Sequence, residues 1–266
     1  MKKVIFGLLA LSFLMTSCDD GLGLFDGKRI KGTGAVERTS RDVKDFKSID
    51  VMTSANVYVK QSATFKVEVE AQKNIEAVVE TVVEEGTLKI KLKKGTWNLS
   101  FEKLNIYVEM PTVENLEISG SGDLTAETAL TGDKITLDIV GSGNIMVEKG
   151  LTAKTLKIAI GGSGDIKVDN ILVDELSTKI AGSGGLILTG KADKADYHVS
   201  GSGDIDAKKL KSKAVEASVS GSGNISCNAD ESIDAHASGS GDISYSGNAT
   251  AVKTKVSGSG NIEKEK

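Results

Sequence analysis

The chain has two histidines, and each follows an aspartate by two positions: Asp196 with His198, and Asp234 with His236. Side chains two apart on a strand share a face, so each pair would set a carboxylate beside an imidazole. Glu216 and Ser218 have the same spacing between them. Such groups can bind a metal ion or move a proton. Mixed polar residues are also what any solvated strand face carries, and this plainer reading outweighs the catalytic one. Asp196, His198, Asp234 and His236 are therefore expected to form a surface site at most, with no catalytic residue, metal or cofactor.

The other residues with reactive potential are Cys18 and Cys227. Lys2 and Lys3 precede an apolar run from Val4 to Met15 that is too short to span a bilayer comfortably. Met15-Thr16-Ser17-Cys18 then resembles a lipobox. Residues 1–17 read as a lipoprotein signal peptide, and Cys18 as an acylated N-terminus whose several chains would hold the protein to outer-membrane lipid. Asp19 and Asp20 resemble a surface-export signal, which favours display outside the cell over a periplasm-facing position. Residues 18–42, rich in glycine and charge, read as a flexible tether. With Cys18 assigned to the anchor, one thiol remains and no disulfide framework is available within the chain.

Composition narrows the classes further. Lys and Arg number 33 against 37 Asp and Glu, a balance that gives nucleic acid no electrostatic purchase. Thirty glycines with a single proline, Pro111, argue against a disordered linker or collagen and for regular tight turns.

The elements that must position these residues come from a repeat. Gly-Ser-Gly begins at Gly120, Gly141, Gly162, Gly182, Gly201, Gly221, Gly239 and Gly258. The closing glycines include Gly122, Gly143, Gly164, Gly203, Gly223 and Gly241. Two residues before each motif stand Ile118, Ile139, Ile160, Ile180, Val199, Val219, Ala237 and Val256, and the residues between the apolar columns are mostly polar. This is the period-two alternation of a half-buried strand. Four residues after each first glycine comes Leu or Ile, from Leu124 to Ile262, so a second strand starts at once. Cys227 falls in the column of Val147, Val168 and Leu188, which predicts a buried, inert thiol. Tyr197 and Tyr245 also fall on inward columns.

A unit of about 20 residues cannot bury its apolar side alone. Stacking at roughly 4.8 Å per coil does so, and predicts an all-β, right-handed parallel β-helix. Each repeat is a strand, a turn, a second strand and a looser return. Glycine at the turn is attributed to a positive φ and to lack of room for a Cβ. The residue after each motif runs Asp123, Asn144, Asp165, Gly185, Asp204, Asn224, Asp242 and Asn261. Stacked acids would repel by about 0.8 kcal/mol per pair even in water. Alternation with Asn relieves this and lets an amide donate to a neighbouring Asp, so the row reads as a structural ladder. Calcium-binding β-rolls repeat every nine residues with more acids, and a phosphate loop needs a following helix; neither fits.

The region 43–118 lacks the motif but is strand-rich, with a short helix running into a strand between Ile75 and Val83. FKSIDV (46–51), NVYV (56–59), VEVEA (67–71), TVVEEGTLKI (81–90), LNIYV (104–108), Pro111 and ISGSGD (118–123) follow in an order that resembles the GIN-domain family. That family is described as auto-transporter adhesin head domains, a name that is itself an inference, and occurs in bacterial lipoproteins and secreted proteins. The resemblance covers about 43–263 and implies a β-helix in two continuous parts, 43–118 and 119–266, with no catalytic residues to carry over. No translocator barrel is recognisable after 263, and Glu263 to Lys266 read as a polar cap.

The expected function is a cell-surface, lipid-anchored interaction module, adhesin-like or scaffolding, whose partner is an extracellular protein or glycan. The rivals are an enzyme acting on extracellular polysaccharide, which needs clustered carboxylates and aromatic subsites, and a purely structural envelope protein. The oligomeric state stays open.

Overall fold

In a computed structural model that describes residues 28–265, the chain is a parallel β-solenoid of about eight turns. The alternating stretch before each Gly-Ser-Gly pairs with the same stretch in the next coil. Leu116 lies against Leu137, Leu137 against Ile158, Thr178 against Tyr197 and Tyr197 against Ala217. This forms the leading face. The stretch after the turn forms a trailing face, where Ile145, Ile166, Leu186, Ile205, Ile225 and Ile243 stack in register. Burial of these columns is complete or nearly so. Each such side chain contributes about 1.5–3 kcal/mol relative to exposure.

The looser return is instead a third ladder. Leu151 pairs with Ile171, and Ala153, Val173, Ala192 and Ser212 follow one another in register. Its signal is weak because only two inward residues per coil separate it from the leading face. Within the repeat, positive φ occurs at the turn into it: Gly150 (106°), Asn170 (54°), Gly190 (128°) and Gly247 (98°).

No glycine of the Gly-Ser-Gly turns has positive φ, so that part of the expectation is corrected. These positions exclude a side chain because of the coil before. A Cβ on Gly141 would lie 1.9 Å from the Gly120 oxygen, and one on Gly143 would lie 1.8 Å from the Gly122 oxygen. The equivalent positions of the first corner are Thr53 and Ala55, which have side chains. Among the described residues no row of turn carbonyls precedes that corner. The chain between its neighbouring strands, Thr87–Leu92 and Leu104–Met110, departs to pair the strand Thr96–Ser100 with Lys28–Lys31.

The front region joins the repeat without a break: Ser48–Val51 pairs with Asn115–Ile118, and Val57, Tyr58 and Val59 pair with Leu124, Thr125 and Ala126. Antiparallel strands then cover this end of the stack, with Val36–Arg41 on Lys66–Gln72 and Val79–Glu84 on Thr87–Leu92. A single helical turn, Lys73–Glu76, buries Ile75 and leads into a strand at Val79. The tether expected to reach residue 42 is thus interrupted by two strands. Val36–Arg41 has no apolar alternation to announce it. It is held by its ladder and by ion pairs, Arg38 with Glu68 (3.7 Å) and Glu70 (3.4 Å), and Arg41 with Glu76.

Ile262–Lys264 continues along the trailing face beside Ile243, Ser244 and Tyr245.

Candidate functional site

The outward side of the leading face carries two columns. One runs Lys157, Ser177, Asp196, Glu216, Asp234 and Lys253; its neighbour runs Ala159, Lys179, His198, Ser218, His236 and Lys255. Parallel register therefore brings the two Asp-x-His pairs onto one face, with Glu216 and Ser218 in the coil between.

The pairs differ in bonding. His236 Nε2 lies 2.9 Å from Asp234 Oδ1, whereas His198 Nδ1 lies 2.7 Å from Ser218 Oγ in the next coil. Asp234 also has Lys253 at 4.0 Å. Asp196 and Glu216 are adjacent in register and have no Lys, Arg or His nitrogen within 4.0 Å among the described residues. Burial raises the Asp196 carboxyl above its ordinary range; the Glu216 charge adds to this and His198 opposes it. Among the described residues no group of three or more His, Cys, Asp or Glu is arranged to hold a metal ion.

These carboxylates border an open groove of about 490 Å³ where the return and leading faces meet. Leu176, Ala195 and Val215 form its floor, with Lys157 and Lys194 also at its edges. Ala195 is short where Leu176 is long one coil earlier, and Ala214 is short where Lys194 is long, which leaves the hollow.

A second acidic column stands at the other end of the same face. Asp50, Glu117 and Asp138 are consecutive in register. Burial, then the charges of Asp50 and Asp138, raise the Glu117 carboxyl, and burial raises Asp138 against a backbone hydrogen bond at Ile139. The Ser119 hydroxyl is 2.9 Å from Asp50 Oδ1 and 3.3 Å from Glu117 Oε1, so its one proton serves either acid. Sequence reasoning missed the place of Asp50 in this column. The signal was there: Ser48-Ile-Asp-Val aligns with Asn115-Leu-Glu-Ile and Thr136-Leu-Asp-Ile.

The turn ladder is bonded mainly through the backbone. The N–H groups of Asn144, Asp165, Gly185, Asn224, Asp242 and Asn261 each donate to the side-chain oxygen one coil earlier, at 2.6–3.0 Å. The Asn144 and Asn224 amides also donate to Asp123 and Asp204, both at 2.9 Å. Gly185 has no side chain to offer Asp204. Cys227 is buried, and burial pushes its thiol up to about 12. Tyr197 is wholly enclosed, and neither its hydroxyl nor that of Ser212 has a well-formed hydrogen bond among the described residues. Cys18 and the residues up to 27 lie outside the described residues.

A family profile described as "Putative auto-transporter adhesin, head GIN domain" matches residues 45–169 and again 136–249. The chain belongs to this family. The overlapping matches reflect the repeat, since either half of a GIN-domain solenoid resembles the other once shifted by whole coils. Among solved structures, a protein from Parabacteroides distasonis titled "Putative lipid binding protein" is 30% identical, with TM-score 0.84, over 90% of this chain and 100% of that one. A Bacteroides fragilis protein titled "putative adhesin" is 30% identical, with TM-score 0.69, over 89% and 100%. Another from Parabacteroides distasonis, also titled "putative adhesin", is 25% identical, with TM-score 0.85, over 90% and 100%. No curated protein matches the chain. An adhesin-type family fits a GIN-domain protein of the cell surface.

Proposed function

We propose that the chain is a cell-surface interaction module, anchored to outer-membrane lipid by an acylated Cys18 and displayed outward, which binds an extracellular protein or glycan without turning it over. The observation that carries this reading is the leading face, where Asp196 and Glu216 stand side by side at the rim of an open groove with no ion-pair partner within 4.0 Å among the described residues. Stacked carboxylates cost repulsion in the free protein, and a partner bearing cationic or hydroxyl groups along its length would relieve it. Solenoid faces suit such extended ligands. The adhesin description of the family and of two structural neighbours supports a binding role. A second reading, an amphiphile seated with its apolar part on Leu176, Ala195 and Val215, is supported by that floor and by the neighbour titled as lipid-binding.

The test is a glycan array, a panel of extracellular-matrix proteins and phosphatidylcholine vesicles, probed with the wild type and an Asp196→Lys, Glu216→Lys variant. Glycan or protein binding lost in the variant supports the first reading. Vesicle binding alone supports the second. Turnover of any polysaccharide would overturn both. Replacing Cys18 with Ala should release the protein from membranes, and continued retention would refute the anchor.

A further inference from the structure

The two ends of the solenoid differ. Antiparallel strands cover the first coil, but the strand Ala251–Val256 is exposed at all six residues. Val252 stacks on Ile233 and Val256 on Ala237, both core residues one coil earlier, yet these valines are 42% and 47% exposed. The backbone is open as well: among the described residues Ala251–Val256 pairs on one side only, with 232–237, and the trailing face of the same end is likewise unpaired. In each earlier coil the N–H of the first trailing-face residue donates to the coil beyond, as Ile225 does to the Asp242 oxygen and Ile243 to the Asn261 oxygen. Ile262 has the equivalent N–H, with no further coil among the described residues. Residues 262–265 do not fold across the end, because Glu265 donates its N–H to the Tyr245 oxygen and pairs with Lys208 at 2.7 Å.

The charges on this edge select what can cover it. Lys253 and Lys255 project from the outward side. Lys253 has an 83% exposed side chain and only a 4.0 Å contact with Asp234. Lys255 stacks on His236 and has no carboxylate within 4.0 Å among the described residues. A second copy pairing antiparallel about Thr254 would keep Val252 against Val256, but would set Lys253 of each copy opposite Lys255 of the other. Like charges directly opposite one another are unfavourable, and edge lysines are a usual guard against self-pairing. An acidic strand meets no such obstacle.

We propose that the Ala251–Val256 edge is a docking site for an extended strand of another protein that alternates β-branched apolar residues with Asp or Glu. The apolar residues would cover Val252, Thr254 and Val256, the acids would face Lys253 and Lys255, and the backbone would extend the ladder by one rung. This site is independent of the groove beside Asp196.

The probes are two fluorescent, end-capped peptides of six residues, the length of this strand, one alternating Val with Glu and the other Val with Lys. Fluorescence polarisation should show the wild type preferring the Glu peptide by about tenfold, as surface charge pairs of this kind allow. The exposed double change Lys253→Glu, Lys255→Glu should reverse the preference. No binding by the wild type, or equal binding of both peptides, would overturn the proposal. A concentration-dependent dimer in sedimentation that Val252→Asp with Val256→Asp dissociates would also overturn it, by making a second copy the occupant.

Discussion

Asp123 Oδ1 accepts two hydrogen bonds from Asn144 one coil later, one from the backbone N–H and one from the side-chain amide, each 2.9 Å long. Asp204 and Asn224 repeat the arrangement. The carboxylate thus holds both the strand start and the neighbouring side chain, and the amide separates it from the next acid, Asp165.

Replacing Asn144 with Asp removes the amide donor and sets three carboxylates in consecutive coils. The expected cost is about 1–2 kcal/mol, the sum of a lost charge-assisted hydrogen bond and two exposed repulsions. Thermal unfolding followed by circular dichroism would show a lower midpoint, part of which added salt restores. An unchanged midpoint would mean that the ladder is ornamental.

Gly185 is the gap in this row, since Asp204 has no side-chain oxygen before it. Gly185→Asn should restore that acceptor and stabilise by about 0.5–1 kcal/mol. Its backbone is not left-handed, and the nearest atom to a new Cβ is Asp165 Oδ1 at 3.2 Å, which a small side-chain movement accommodates. A urea midpoint below that of the wild type would count against this account.

The turn glycines should be intolerant for a reason that depends on the preceding coil. Gly143→Ala drives a Cβ into the Gly122 oxygen at 1.8 Å, and is expected to cost about 3 kcal/mol or more. Ala55→Gly, at the corner with no turn beneath it, should cost about 1 kcal/mol or less, mostly unfolded-chain entropy. Comparable losses at the two sites in denaturant titrations would sink the carbonyl-stack explanation.

Glu117 and Asp138 should give the fold an unusual pH dependence. Their carboxyls are raised on folding, so the native state holds these protons more tightly than the unfolded chain. The associated stability is fully present below the ordinary carboxylate value, about 4.3 for Glu, and is lost as pH rises through the raised folded value. Glu117→Gln should therefore raise the melting temperature at about pH 7 and lose that advantage at about pH 3. Equal shifts at both pH values would show that charge is not the cause.

Much of the fold was legible because apolar columns two residues apart recur at near-constant spacing. Ile139, Ile160 and Ile180 announce their own burial, and Cys227 and Tyr197 could be placed inside by alignment alone. The return ladder was harder to see, since Leu151 and Ala153 are too few to display a period. The strand Val36–Arg41 gave no apolar signal. Of the candidate site, the shared face of Asp196, His198, Asp234 and His236 followed from column alignment. Their unequal bonding did not, because it depends on which rotamers meet across coils.

By itself the sequence determined which residues face inward, the length of a coil and the parallel stacking, because alternation and repeat are local properties of the chain. The tertiary structure decided what lies one coil away from each atom. It showed that turn glycines yield to a carbonyl beneath them and not to a left-handed φ, that Asp50, Glu117 and Asp138 form one column, and that Val252 and Val256 are left uncovered. These are relations between residues about 20 apart or more, fixed only when coils settle on one another at roughly 4.8 Å.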